Sequence, residues 1–463
     1  MEKLNQKYSW KQIAAWVLTI GLPIMILMIP ENEYLNGQMK IYLAISIGAI
    51  VTFVFENINM TAVSVLLPFL YIIFAKVPAP SALGAWLSPI PWFMLGGMLL
   101  AAVLERIGLL KRIAYKIVLS LGATYKGIIW GMGIAGLILY LFLPGNTVVP
   151  MAALAYGVCK ALGLTQGKAS AGITLSAGVA AIVPHFFIYN SDFATIEGLI
   201  TGLTGPLNVS YIQYIFENLA AVPMYFLLLY LITVIFKPEV TLNSKKYFEN
   251  EYQKMGSMSQ DEKKAIGVCL ILLILVLTTN IHHVSAMYCF TIVPIMLYFP
   301  FVNVAEPDDF KRINYPLLLF VAACLSIGNS ATGVGMGELL EKIFTPIVQG
   351  QSIMTVFLGT YVGATLMNFL MTPMAIMAAF SMPLTQIFMV IGVEPTAFVY
   401  FFIHSLSAIV LPYEVALWLI FYSFGMISMR DFTKYMIVIS VVDFVWVFAI
   451  MLPYWKLVGC LML

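Results

Sequence analysis

The chain has 463 residues, 61% of them hydrophobic and only 10% charged, with a formal net charge of +2. That balance excludes a soluble globular protein and indicates an all-α polytopic membrane protein, with the lipid bilayer as its main environment and no nucleic-acid partner expected. Five cysteines (Cys159, Cys269, Cys289, Cys324 and Cys460) are scattered without a CxxC or a His/Cys cluster, so neither a metal site nor a disulfide framework is suggested.

The N-terminus, MEKLNQKYSWKQ, is polar and basic, and an apolar run starts near Ile13. A cleaved signal peptide is not expected, because Pro30 and Glu31 follow without a small-x-small pattern. Apolar runs of spanning length fall at 13–30, 39–57, 60–77, 86–104, 169–199, 210–236, 265–281, 284–303, 315–335, 396–424 and 435–455, where about 20 residues cross the hydrocarbon core. Trp16, Trp86, Trp92 and Trp455 read as interfacial anchors.

Two further apolar stretches, 126–165 and 352–390, are each interrupted. The first carries LPGNTVVPMA at Leu143–Ala152 and the second LMNFLMTPMA at Leu366–Ala375. Each interruption sets small, amide or hydroxyl side chains and a proline inside an apolar run. Lipid tolerates such a break only where protein or a water-filled cavity receives the freed backbone groups. Matching breaks in two halves of a chain point to a transporter's binding site. Each stretch is either two full spans or a hairpin that returns to the side it entered from.

Basic residues set the orientation. With Lys3, Lys7 and Lys11 cytoplasmic, the segment 105–126, the loop 237–264, Lys311 with Arg312, and Arg430 with Lys434 also fall inside. The segments 200–209 and 280–283 carry no Lys or Arg and fall outside. This reading gives about eleven transmembrane helices plus two re-entrant hairpins, the N-terminus cytoplasmic and the C-terminus outside. The loop 237–264 is expected to be a solvated connection that divides the chain.

The halves align at a near-constant offset. Leu143–Ala152 matches Leu366–Ala375, and Ala181-Ile182-Val183 matches Ala408-Ile409-Val410, with Pro184 and Pro412 following. Gly96-Gly97 lines up with Ala323-Cys324 at the same spacing. The first copy meets its hairpin from the cytoplasm and the second from outside, so the repeats are inverted. The expected units are N-terminal scaffold helices (1–84), a first repeat (85–236) with hairpin 126–165, a cytoplasmic linker (237–264), scaffold helices (265–314), and a second repeat with the final helix (315–463) and hairpin 352–390.

Four broken stretches are expected to converge: the two hairpin tips and the breaks at Pro184 and Pro412. The tips supply Gly145, Asn146 and Thr147, then Asn368 and Thr372. The breaks supply His185, Tyr189, Asn190 and Asp192, then Pro412, Tyr413 and Glu414. Amide and hydroxyl side chains, open backbone N–H groups and helix N-termini suit an anion such as a carboxylate. Exposed carbonyls beside them suit a small hard cation such as sodium. The expected substrate-binding residues are Gly145, Asn146, Thr147, Asn368, Thr372, His185, Pro412 and Tyr413, and the expected ion-coupling residues are Asn146, Asn368 and Glu414. Asn146 and Thr147 could instead cap a helix, and Thr372 could bond back to its own. Glu414 is singled out because a carboxylate deep in a span is costly and usually functional. Its expected role is ion or proton coupling, or pairing with His185 or His404; otherwise it is a buried structural partner. Asp443, in the last span, reads as structural.

At these residues the sequence resembles the divalent anion/sodium symporter family, within the ion transporter superfamily. The carriers are GGMLLAAVLERIGLLKRIA (Gly96–Ala114), GNT at 145–147, LSAIVLPYEVALWLIFYSFGMISMRDF (Leu406–Phe432) and LPYWKLVG (Leu452–Gly459). The resemblance implies a homodimer whose transport half moves like an elevator against a scaffold half, carrying di- or tricarboxylates or sulfate, usually with sodium. The family's Ser-Asn-Thr tip stands here as Gly145-Asn146-Thr147, and Asn368 is its nearest counterpart at the second tip. The family's Thr-Pro-Pro-Asn is replaced by VPHFFIYN and LPYEVALW.

The leading expectation is therefore a secondary active transporter of small anions, with a sodium ion or proton as coupling ion and no other cofactor. The alternatives are a proton-coupled anion transporter or a cation/proton antiporter using Glu414, and, from another class, a membrane-embedded enzyme. The enzyme is disfavoured by the lack of HExxH, GxSxG and paired-Asp motifs. Short loops without targeting extensions suggest a prokaryotic inner membrane.

Overall fold

An apolar run in lipid can satisfy its backbone only as helix, and this chain does so along almost its whole length. The computed structural model describes residues 10–32, 35–55, 57–122, 124–238, 245–336, 338–339, 342, 346, 350–369 and 372–461. Among these, helices are joined by turns and no β-strand forms. Helices α1 (Trp10–Met28), α2 (Gly37–Phe55) and α3 (Met60–Ile73) open the chain. Ser88 caps α4 (Pro89–Arg106), its side chain accepting from the Ile90 N–H. Gly108, in the left-handed region at φ +81°, then turns the chain by 69° into α5 (Leu109–Ser120). A side chain rarely adopts that conformation, which is why glycine stands there.

The segment 105–126 thus contains a helix of its own. Leu109, Leu110, Ala114 and Val118 make one buried face of α5, which packs on α6 (Tyr125–Phe142). The first interrupted stretch continues with α7 (Val148–Ala161). Then come α8 (Lys168–Ile182) and α9 (Ser191–Thr204), a broken span and the most buried of those long and apolar enough to cross a membrane. Helices α10 (Tyr211–Glu217) and α11 (Val222–Ile235) follow, with a bend of 56° between them.

The expected solvated linker is corrected, since it contains helix α12 (Lys245–Lys254) docked on α5. Phe248 is fully buried against Tyr115, with ring centroids 5.7 Å apart. Beneath it, buried Arg112 pairs with Glu262 at 2.5 Å and donates to the Gly256 and Met255 carbonyls. Glu262 also closes a capping box with Ser259 at the start of α13 (Gln260–Leu277).

The second half continues with α14 (Ala286–Ile292), α15 (Tyr315–Gly333), α16 (Ile353–Asn368), α17 (Pro373–Val390), α18 (Pro395–Leu406) and α19 (Ala416–Ser423). Helix α20 (Met429–Trp446) runs through a π turn, Val447–Met451, into α21 (Leu452–Leu457). Trp455 is corrected from an interfacial anchor to a core residue: it is fully buried and donates to Asn218 at 3.1 Å.

Among the described residues, five helical segments are long and apolar enough to cross a membrane, or up to seven if each bent pair is one span, and shorter apolar helices accompany them. The chain is a multi-pass membrane protein. The halves interlock: α4 packs on α14, and α15 packs on α3. Outside the apolar layer, Arg106 at the end of α4 grips Asp309 at 2.7 Å and 3.0 Å, and reaches Glu306 at 3.0 Å. Burial alone would raise the Asp309 carboxyl, but the Arg106 guanidinium and the Glu306 N–H outweigh it and hold it below the usual carboxylate range.

Candidate functional site

At the first tip the helix stops because Pro144 and Gly145 cannot continue it. Gly145 sits at φ +80°. A Cβ there would come within 2.9 Å of the Ser191 hydroxyl at the start of α9. Thr147 takes the N-cap position of α7, but its hydroxyl does not cap. It donates instead to the Ala181 carbonyl at 3.0 Å, across to the broken span. Asn146 donates to the Pro144 carbonyl at 3.3 Å and lies against Gly97 of α4. Gly145, Asn146 and Ser191 line a cavity of about 40 Å³ closed by Phe93, Gly97 and Phe290. A water needs roughly 10–15 Å³, so a water or a bare ion fits there.

The second tip makes the corresponding contact with a different side chain. Asn368 ends α16, and its amide nitrogen donates to the Leu406 carbonyl at 3.1 Å and the Ala408 carbonyl at 3.0 Å. Ala408 is the residue that aligns with Ala181. Each tip therefore satisfies a carbonyl set loose where the following span breaks. Each following helix also packs against both arms of its hairpin: α8 against α6 and α7, and α18 against α16 and α17. Thr372 does cap, accepting from the Ala375 N–H at 3.4 Å. Its hydroxyl thus serves its own helix. Residues 370–371 lie outside the described residues.

The two breaks meet. Pro184 opens a 3-10 turn, Val183–Phe186, between α8 and α9. His185 there lies 3.3 Å from Asp192 through Nδ1, and 3.2 Å from the Ser407 hydroxyl through Nε2. Ser407 belongs to the second break. Asn190 caps α9 and donates to the His185 carbonyl at 2.7 Å, while the Tyr214 hydroxyl donates to the same carbonyl at 2.8 Å. Tyr189 is buried in an aromatic cluster with Phe93, Phe193, Tyr211 and Tyr214.

At the second break, Pro412, Tyr413 and Glu414 form a 3-10 turn. The buried Glu414 carboxylate turns back on its own break, accepting from the Val410 N–H at 2.9 Å and the Leu411 N–H at 3.0 Å. The expected pairing of Glu414 with His185 or His404 is corrected. His185 bonds Asp192 and Ser407, and His404 bonds Asp443 at 2.6 Å. The physical reason is local, because two backbone N–H groups freed by the break lie within reach of the side chain that follows them.

The structure thus brings together Gly145, Asn146 and Thr147 with α4 and the first break, Asn368 with the second break, and His185 with Ser407. Sequence reading missed Ser191 and Ser407. Ser407 sits beside the aligned Ala408, so the repeat itself could have flagged it. No comparable signal marks Ser191 beyond its place after Asn190.

The chain is similar to the sodium-dependent dicarboxylate transporter SdcS of Staphylococcus saprophyticus, at 28% identity over 158 residues. That stretch is 34% of this chain and 30% of the relative, so under a third of the relative's length is matched. The fold also aligns with the crystal structure of the Alcanivorax borkumensis YdaH transporter, covering 97% of each chain at 12% identity and a TM-score of 0.49. The sodium:sulfate symporter transmembrane region matches residues 10–461, nearly the whole length, and the chain belongs to that family.

Proposed function

We propose that the protein is a secondary active transporter of a small anion, a di- or tricarboxylate or sulfate, coupled to sodium and working by alternating access. The observation that carries this reading is the paired tip-to-break contact, Thr147 to Ala181 and Asn368 to Ala408, with His185 and Ser407 joining the two breaks. Such contacts hold broken backbone inside the protein. A family of sodium:sulfate symporters and a relative named for sodium-dependent dicarboxylate transport support the same substrate class and coupling ion.

The hairpins are read as re-entrant. Helix α7 has 14 residues, about 21 Å of helical rise, which is short of a hydrocarbon core of about 30 Å. The reciprocal packing of α4 on α14 and α15 on α3 supports an inverted repeat over 85–236 and 315–463, with 1–84 and 265–314 as scaffold. We assign an elevator movement of the hairpins and broken spans against that scaffold, a homodimer, and a bacterial inner-membrane location with the N-terminus cytoplasmic.

Asn146, Thr147, Asn368 and His185 are assigned to substrate, with Gly145, Pro412 and the Tyr413 backbone shaping the breaks. Asn146 and Asn368 are assigned to the coupling ion. Glu414 is assigned to bracing the second break, because its carboxylate is already filled by two N–H groups.

The test is thermal stability of the purified protein against succinate, citrate and sulfate, each in sodium and in potassium. A ligand that binds the folded state raises stability by mass action. Stabilisation by one of these anions in sodium but not potassium is expected. Absence of any anion effect, in either cation and across pH, would overturn the substrate class.

A further inference from the structure

The last span carries a carboxylate that the proposed transport site does not use. Asp443 of α20 is 1% exposed. Its Oδ1 lies 2.6 Å from His404 Nδ1, and its Oδ2 accepts from the Tyr361 hydroxyl at 2.7 Å. His404 lies on α18, just before the second break, and Tyr361 on α16, the first arm of the second hairpin. His404 is also 1% exposed, and its Nε2 has no hydrogen-bond partner among the described residues. Phe186 of the first break stacks flat on the His404 ring, centroids 4.0 Å apart and planes 2° from parallel. The π turn Val447–Met451 begins one turn beyond Asp443, and such turns recur at functional sites.

Charge balance decides what this cluster holds. The titratable groups around it are already engaged. Tyr400, one turn earlier on α18, bonds Glu217 of α10 at 2.7 Å. His185 and Asp192, behind Phe186, face each other. Glu414 is held by its own break. Trp455 of α21 presents an uncharged ring edge. The positive group within hydrogen-bond reach of Asp443 is therefore the His404 ring itself. With a neutral ring the buried cluster carries one net negative charge, held by hydrogen bonds from Tyr361 and the ring, and an uncompensated buried charge is costly. With one further proton on the pair, the cluster is neutral.

We propose that the His404–Asp443 pair is a proton-binding site, loaded and unloaded once per transport cycle, so that a proton crosses with the substrate. This rests on the transporter reading above and adds a coupling ion to it. The pair joins α18, the helix that leads into the second break, to α20, and Tyr361 ties it to α16, the first arm of the second hairpin. Loading breaks an O–H bond of a hydronium ion on one side, leaving water, and forms one N–H or O–H bond on the pair; unloading breaks that bond and returns the proton to water on the other side as hydronium, with no change of oxidation state.

The test uses the full-length protein in liposomes containing pyranine, with valinomycin and potassium clamping the potential. Inward gradients of labelled succinate, sulfate or citrate are imposed in sodium. Acidification of the lumen in step with uptake is expected. Asp443→Asn and His404→Gln are expected to lose the acidification and the pH dependence of net uptake while still exchanging labelled for unlabelled anion. Tyr361→Phe, which leaves the pair intact, is expected to keep the acidification. Uptake by the unmodified protein without acidification would overturn the proposal and leave the transporter reading standing. Acidification at the unmodified level in either pair variant would also overturn it. If none of succinate, sulfate and citrate moves at all, the transporter reading fails and this inference falls with it.

Discussion

Thr147 and Asn368 do the same work from opposite halves of the chain: each donates a hydrogen bond to a carbonyl that a broken helix leaves open. A buried carbonyl left without a donor costs about 1–3 kcal/mol. Thr147→Val keeps the shape and removes the donor to Ala181, so a loss of that size and weaker substrate affinity are expected. Thr147→Ser is expected to restore both. Thermal unfolding and the KM for uptake measure them. Glu414→Gln tests a different idea at the same scale. The amide oxygen accepts one of the two N–H groups, and the amide nitrogen meets the other as a donor. A loss of about 1–2 kcal/mol is expected, with no change in the pH profile of uptake. A profile flattened by this change would return Glu414 to the coupling role. Sequence showed Asn146, Thr147 and Asn368 as polar residues at breaks, and that placing holds. It showed Glu414 as a carboxylate at depth but not its partners, because a side chain satisfied by N–H groups three and four residues back leaves no long-range pattern to read.

Among the elements, the spans were legible because an apolar run in lipid has almost no alternative to helix. Helices α5 and α12 were not, because the charges that place them at the surface also resemble those of a connecting segment. What organises them is tertiary: the turn at Gly108, the Arg112–Glu262 pair and the Phe248 contact. The Arg106–Asp309 clasp belongs to this scale, since it ties the end of α4 to the turn before α15. The Asp309 carboxyl titrates below its ordinary value when folded. Its stabilising contribution is therefore complete above the ordinary aspartate value of about 4, and it is lost as pH falls through the depressed folded value. Thermal unfolding followed from pH 7 into acid is expected to show that loss. In Asp309→Asn the acid-sensitive component is expected to be smaller. An unchanged acid limb would show that the clasp does not govern it.

For the whole molecule, the matching motifs of the two halves carried most of what could be read in advance. The alignment of Ala181 with Ala408 anticipated two residues that receive the same kind of bond from two tips. The alignment did not reveal that the breaks are joined through His185 and Ser407, since that contact crosses between repeats. Nor did it reveal that α4 and α15 each pack on a helix from the opposite half. The measurement that bears most directly on anion transport is uptake of labelled sulfate, succinate and citrate into liposomes carrying the purified protein under an inward sodium gradient. The expected result is accumulation of at least one anion above its equilibrium level, collapse when sodium is equalised, and loss in Asn368→Ala. No accumulation of any of the three, under any imposed cation gradient, would contradict it.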